Sequence, residues 1–142
     1  MSLAAKTLLG EHDFSAFRAA GCQARHPVRR IHEADVWQVG EFIGFAIRGN
    51  AFLHHMVRNL TGSLLLIGAG RQPVNWLETL LEDGDRSLAA PTAPAQGLYF
   101  RNTHYAGRWQ ITAHQGTPYG LFDQFQASWQ EDYVDVDFGD RL

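Results

Sequence analysis

Apolar residues recur at three- and four-residue steps from position 53 to position 67: Leu53, Met56, Val57, Leu60, Leu64 and Ile67. That spacing places them on one stripe of a helix. Asn50 is positioned to cap it, because its side chain can accept from the orphan amides of a first turn. Gly68-Ala69-Gly70 closes the pattern at about Ala69. Upstream the period changes. Residues 27–39 and 42–50 are rich in Val, Ile, Phe and Trp with partial alternation, and Gly40-Glu41 between them predicts an antiparallel hairpin. Arg30, His32, Ala34 and Val36 fall on one face, and Ile31, Glu33, Asp35 and Trp37 on the other. Neither face is cleanly apolar, so the pattern leaves the inward face open. Pro73 fits the first turn of a second helix with Leu77, Leu80 and Leu81 inward and Gly84 past its end. Residues 4–20 predict a short helix broken near Gly10 and followed by a turn over Glu11-His12-Asp13-Phe14. Residues 89–97 predict an extended loop, since each proline biases its predecessor away from helix, and residues 98–105 a strand. The resulting class is α+β: a mostly antiparallel sheet with helices packed on one face.

Composition narrows what such a domain can be. At 45% hydrophobic and 19% charged residues the chain is globular rather than disordered. It has no apolar run near the ~18 residues that a membrane span requires, and its first residues lack the pattern of a secretory signal. One cysteine, Cys22, excludes an internal disulfide framework and most structural zinc sites, which makes a reducing cytoplasm the expected setting. The net charge of -3 hides an asymmetry. Six acids (Asp123, Glu131, Asp132, Asp135, Asp137, Asp140) face one arginine, Arg141, in the last twenty residues, so the remaining body is mildly basic. Its cations are arginines apart from Lys6, and arginine suits bidentate contact with carboxylate or phosphate. The chain divides into a domain over 4–108 and an acidic extension over 109–142. Within the extension, residues 117–122 read as a turn and residues 133–138 as either an edge strand or a solvated tail.

The polar residues inside the apolar stretch at 50–59 carry the chemical question. At 100° per residue, His54, Arg58 and Thr61 lie beside the apolar stripe, while His55, Asn59 and Gly62 lie on a further strip. Arg58 stands at the core boundary. An arginine there needs a partner, so it predicts an anion within reach, either a carboxylate or a phosphate; a structural ion pair with its stem on apolar surface is the plainer alternative. His54 and His55 point about 100° apart, unlike histidines four apart that share a metal. They can equally be helix-surface or core residues. No metal is expected. Cys22 has no base nearby in sequence and fits an ordinary thiol. The chain carries no phosphate-binding glycine loop and no self-contained catalytic set.

Three segments, GEHDFSAFRAAGCQAR (10–25), NAFLHHMVRNLTGSLLLIGAGRQP (50–73) and DRSLAAPTAPAQGLYF (85–100), occur in this order and spacing. Together they resemble the C-terminal half of the tRNA pseudouridine synthase A family, over residues 8 to about 105. The resemblance implies an enzyme of two α/β halves around a cleft. It would work as a homodimer and isomerise uridine to pseudouridine in the tRNA anticodon stem-loop without metal or organic cofactor. It implies that Arg58 pairs with the catalytic aspartate, and that Leu98 packs near the flipped base or serves as plain core. The loop Gly21-Cys22-Gln23-Ala24-Arg25 matches one that touches tRNA. Arg29 and Arg30 follow on the hairpin and either meet phosphates or line a solvated strand face. His54, His55 and Asn59 belong to the motif and are assigned to the RNA-binding side. The family's nucleophilic aspartate and a site tyrosine belong to the N-terminal half, whose segments this sequence lacks. The chain is therefore expected to be a C-terminal domain, inactive alone, with that half as partner. Met1-Ser2-Leu3 is then a remnant of expression, and a naturally split enzyme is the alternative. The competing function is a non-catalytic tRNA-binding or dimerisation module.

Overall fold

One irregularity in a long strand explains why neither face of the hairpin reads as apolar. The computed structural model describes residues 1–101 and Thr103. It falls into two units, Met1–Gly97 and Leu98–Leu142. The first unit runs α1 (Ser2–Lys6), β1 (Gly10–Asp13), β2 (Val28–Val39), β3 (Phe42–Gly49), α2 (Met56–Gly68) and α3 (Trp76–Asp83), with single 3-10 turns at Ser15–Phe17 and Arg86–Leu88. The strands form one antiparallel sheet in the order β1-β2-β3. The β2–β3 register shifts between Ile31 and Glu33. Such a bulge inserts one residue and exchanges the faces beyond it. Ile31 and Ala34, three apart, are thus both buried. Beyond the bulge Ala34 lies opposite Ile47 and Val36 opposite Phe45, and these residues pack against or belong to the core.

The helices cover this face. Met56, Leu60, Leu64 and Ile67 of α2 and Leu77 and Leu80 of α3 meet Leu8, Phe14, Phe17, Ile31 and Ala34 in one buried cluster. Each of these side chains larger than alanine, fully buried, contributes about 1.5–3 kcal/mol. The architecture is therefore the expected α+β layer of helices on an antiparallel sheet. α2 stops as the glycine signal requires. Gly70 takes a left-handed φ of +68°, and the Gly70 and Arg71 amides donate to the Ile67 and Leu66 carbonyls. Among the described residues no helix is long and apolar enough to cross a membrane.

Several local expectations are corrected. Asn50 does not cap α2. Its amide donates to the Arg30 carbonyl at 3.0 Å and its side chain accepts from the Arg30 amide at 3.0 Å, so it extends the strand pairing instead. The helix starts six residues later, after His55 at a left-handed φ of 61° and with no side-chain cap. Glu11-His12-Asp13 is not a turn but part of β1, because its backbone pairs with Val28–Arg30 of β2. The first helix is shorter than predicted and ends at Lys6. Pro73 lies ahead of α3 rather than in its first turn, accepting from the Trp76 amide. Residues 98–101 and 103 form no strand; 102, 104 and 105 lie outside the described residues, as do the turn at 117–122 and the strand or tail at 133–138.

Candidate active site

His54, His55 and Arg58 lie at the start of α2, beside the loop at 21–25. Residues 51–55 leave the sheet, and the Leu53 carbonyl accepts from the Met56 amide at 3.0 Å to start the helix. The turn is fastened to the loop that follows Ser15–Phe17. Ala19 donates its amide to the His54 carbonyl at 3.1 Å, and the His54 amide points at Cys22 Sγ at 3.3 Å. Arg18 holds the other side of the same loop, donating from Nη2 to the Cys22 and Ala24 carbonyls at 2.8 and 2.7 Å. Gly21 sits at φ +77° with open space around it, while Gln23 and Arg25 are exposed. The loop at 21–25 and the His54-His55 turn are therefore one surface. The Cys22 thiol is held below its ordinary value, first by the His54 amide and then by the Ala24 amide, against burial and with help from Arg18.

His54 and His55 stack with ring centroids 4.0 Å apart at 34°. His55 titrates below its ordinary value because of partial burial and then because of the neighbouring His54 and Arg58. Arg58 is half-buried one turn along. Its Nε donates to the Ala93 carbonyl at 2.8 Å, and the Ala93 amide donates back to the Arg58 carbonyl at 3.2 Å. This reciprocal pair fixes the root of the guanidinium. Among the described residues no carboxylate lies within ion-pair distance of Arg58, the ion pairs there being Lys6–Asp35, Arg30–Glu11 and Arg48–Glu33. The anion that the sequence predicts beside Arg58 is thus represented only by a carbonyl dipole.

Asn59 departs from its expected role. It is 0% exposed, and its Nδ2 donates to the Phe17 carbonyl at 2.7 Å. Its Oδ1 accepts from Thr92 Oγ1 at 2.7 Å and from Arg86 Nη2 at 3.2 Å. A residue with no accessible surface offers RNA nothing to touch, so Asn59 is corrected from an RNA contact to an internal brace. Arg29 and Arg30 lie on β2, and no hydrogen bond or ion pair among the described residues ties them to Arg58. Arg29 Nη1 is occupied by the His26 and Val28 carbonyls at 2.9 and 2.6 Å, and Arg30 pairs with Glu11 at 3.2 Å with both side chains more than half exposed. Leu98 is 49% exposed in the second unit. Sequence reasoning did not single out Arg18, Arg86, Thr92 or Ala93. The signal for Arg86 and Thr92 lay in the segment 85–100, where the eye goes to the prolines and the closing aromatic pair. No group of three or more His, Cys, Asp and Glu among the described residues is arranged to hold a metal.

A family model described as tRNA pseudouridine synthase matches residues 4–106. The chain is 54% identical to tRNA pseudouridine synthase A of Bordetella petrii over 117 residues, covering 82% of this chain and 44% of that protein. It is 56% identical to that of Bordetella parapertussis over 105 residues, 74% of this chain and 39% of the relative. It is 50% identical to that of Xanthomonas oryzae pv. oryzae over 113 residues, 80% and 44%. The chain thus spans about two fifths of the length of these curated relatives.

Proposed function

Because the chain belongs to the tRNA pseudouridine synthase family, we propose that it supplies one half of an active site that isomerises uridine to pseudouridine in the tRNA anticodon stem-loop. The other half, with the nucleophilic aspartate, is the N-terminal part of the same enzyme. Arg58 is the catalytic contribution of this chain, with Leu98 packing near the displaced base. The loop at 21–25, Arg29, Arg30, His54 and His55 form the tRNA side. The assembled enzyme works as a homodimer in the cytoplasm.

The reaction breaks the carbon–nitrogen glycosidic bond and rejoins the same uracil through carbon. Atoms and electrons balance with uridine alone, so the requirements are a nucleophile, a proton acceptor and a base lifted from its stack. A carboxylate is nucleophilic only as the anion, and a guanidinium at hydrogen-bond distance favours that form while fixing its direction. The observation that carries the reading is the mounting of Arg58. Its Nε is occupied by Ala93 at 2.8 Å, which orients the fork, while no carboxylate among the described residues neutralises it. A half-buried cation so placed is a receptor for an anion supplied from elsewhere.

Purified chain incubated with unmodified tRNA is expected to form no pseudouridine, and addition of the aspartate-bearing half is expected to start turnover. Pseudouridine formed by the chain alone would overturn the division of the site between two halves.

A further inference from the structure

Arg86 has no part in the roles described above, yet it stands behind the residue that does. The segment from Pro91 to Ala93 lies flat on α2 and meets it at three successive points. Pro91 passes over Gly62 so closely that a Cβ there would collide with its carbonyl oxygen. Thr92 donates to Asn59 Oδ1 at 2.7 Å, and Ala93 forms the reciprocal pair with Arg58. Arg86 closes the triangle from outside, its Nη2 reaching Asn59 Oδ1 at 3.2 Å and Thr92 Oγ1 at 3.3 Å. The Thr92 hydroxyl therefore accepts from Arg86 and donates to Asn59, which settles the direction of every bond in the triangle. Asn59 carries the same network onward to Phe17, the residue before Arg18.

We infer that Arg86 is a positioning residue for Arg58: with Thr92 and Asn59 it holds the 91–93 strap on α2, and the strap sets the direction of the Arg58 guanidinium. The physical basis is that a charged donor shared between two acceptors, one on the helix and one on the strap, resists their separation. Ala93 is adjacent to Thr92 and Arg58 adjacent to Asn59, so a lift of the strap at Thr92 strains the Arg58–Ala93 pair beside it. The functional consequence rests on the proposed role of Arg58; the structural link does not.

The test reads the Arg58 Nε–H directly, by nitrogen-resolved NMR of the 142-residue chain. In the unaltered chain this proton is expected to exchange slowly with water. Thr92→Val, which keeps the shape and removes the hydroxyl, is expected to speed that exchange about tenfold. Thr92→Ser is expected to retain the slow rate. Arg86→Ala, which removes both bonds to Asn59 and Thr92, is expected to speed exchange about tenfold, and Arg86→Lys to fall between it and the unaltered chain. The backbone amide spectrum reports whether each variant is folded, and Thr92→Val serves should Arg86→Ala fail to fold. An unchanged Arg58 Nε–H rate in folded Thr92→Val would overturn the inference. In the enzyme completed with its other half, Thr92→Val is expected to lower kcat about tenfold and leave the KM for tRNA unchanged. If Arg58→Ala has no effect on turnover while Thr92→Val still speeds exchange, the proposed function fails and the positioning link stands.

Discussion

Arg58 and Arg30 are both arginines on half-polar surfaces, and the fold treats them in opposite ways. Arg30 lies on the sheet with its guanidinium paired to Glu11, both side chains more than half exposed. Arg48 is likewise paired across the strands with Glu33. Arg58 has no such partner among the described residues, and its Nε is held by a backbone carbonyl at 2.8 Å. An exposed ion pair is worth about 0–1 kcal/mol and exchanges readily for another anion. A half-buried arginine oriented by a backbone carbonyl has its direction fixed. The proposed roles use this difference: the sheet arginines would steer a polyanion, and the helix arginine would make a single defined contact.

The rigidity of the helix side is the first part of that comparison open to challenge. Gly62 and Gly68 both belong to α2, and a methyl group at either would collide with a neighbour. At Gly62 the neighbour is the Pro91 carbonyl, backbone that the strap cannot move without disturbing Arg58; at Gly68 it is the flexible end of Met1. Gly62→Ala is expected to cost about 1–3 kcal/mol in denaturant unfolding. Gly68→Ala should stay within about 0.5 kcal/mol of the unaltered chain. Equal losses at both sites would mean that the strap is no more constrained than the N-terminus.

Arg30→Ala sharpens the sheet side. Loss of its exposed pair with Glu11 should change stability by less than about 1 kcal/mol. The same variant should weaken tRNA binding and reduce the slope of log affinity against log salt by about 1. A stability loss well above that range, or an unchanged salt slope, would remove Arg30 from the proposed RNA surface.

The smallest expected effect is acid sensitivity at the bulge. His32 titrates below its ordinary value, chiefly because of burial and then because of Arg48 and Arg30, against an opposing pull from Glu33. Folding therefore favours the neutral ring. That contribution is complete above the ordinary value of 6.5 and is lost as pH falls through the lower folded value. His32→Gln should flatten the fall in stability below pH 6.5 without changing stability at pH 8; an identical acid slope would contradict it.

The helical stripe from Met56 to Ile67, the hairpin and the Gly68-Ala69-Gly70 stop were legible in the sequence because each depends on local periodicity or on one glycine; the helix start was not, and Leu53 precedes it. The bulge at Ile31–Glu33 was not, since a change of face in mid-strand appears in sequence only as spoiled alternation. Asn50 shows the same limit: cap and ladder both ask for a short polar side chain, and only the partner strand decides between them. In the candidate site, His54, His55 and Arg58 stood together in one motif, but the meeting of Cys22 with the His54 amide was not legible, since the two lie in separate segments. The place of Asn59 was not, because a buried amide and an RNA-contacting amide look alike until their partners at 86 and 92, many residues away in sequence, are known.

The central claim is that Arg58 completes a site whose nucleophile comes from the other half of the enzyme. It is tested most directly by pseudouridine formation on unmodified tRNA with the aspartate-bearing half added to unaltered, Arg58→Ala or Arg58→Lys chain, after tRNA binding by each has been matched. Turnover is expected for the unaltered chain, with a loss of at least about 100-fold for Arg58→Ala and poor recovery with lysine, whose ammonium has no planar fork of donors. Turnover by Arg58→Ala equal to that of the unaltered chain would contradict it.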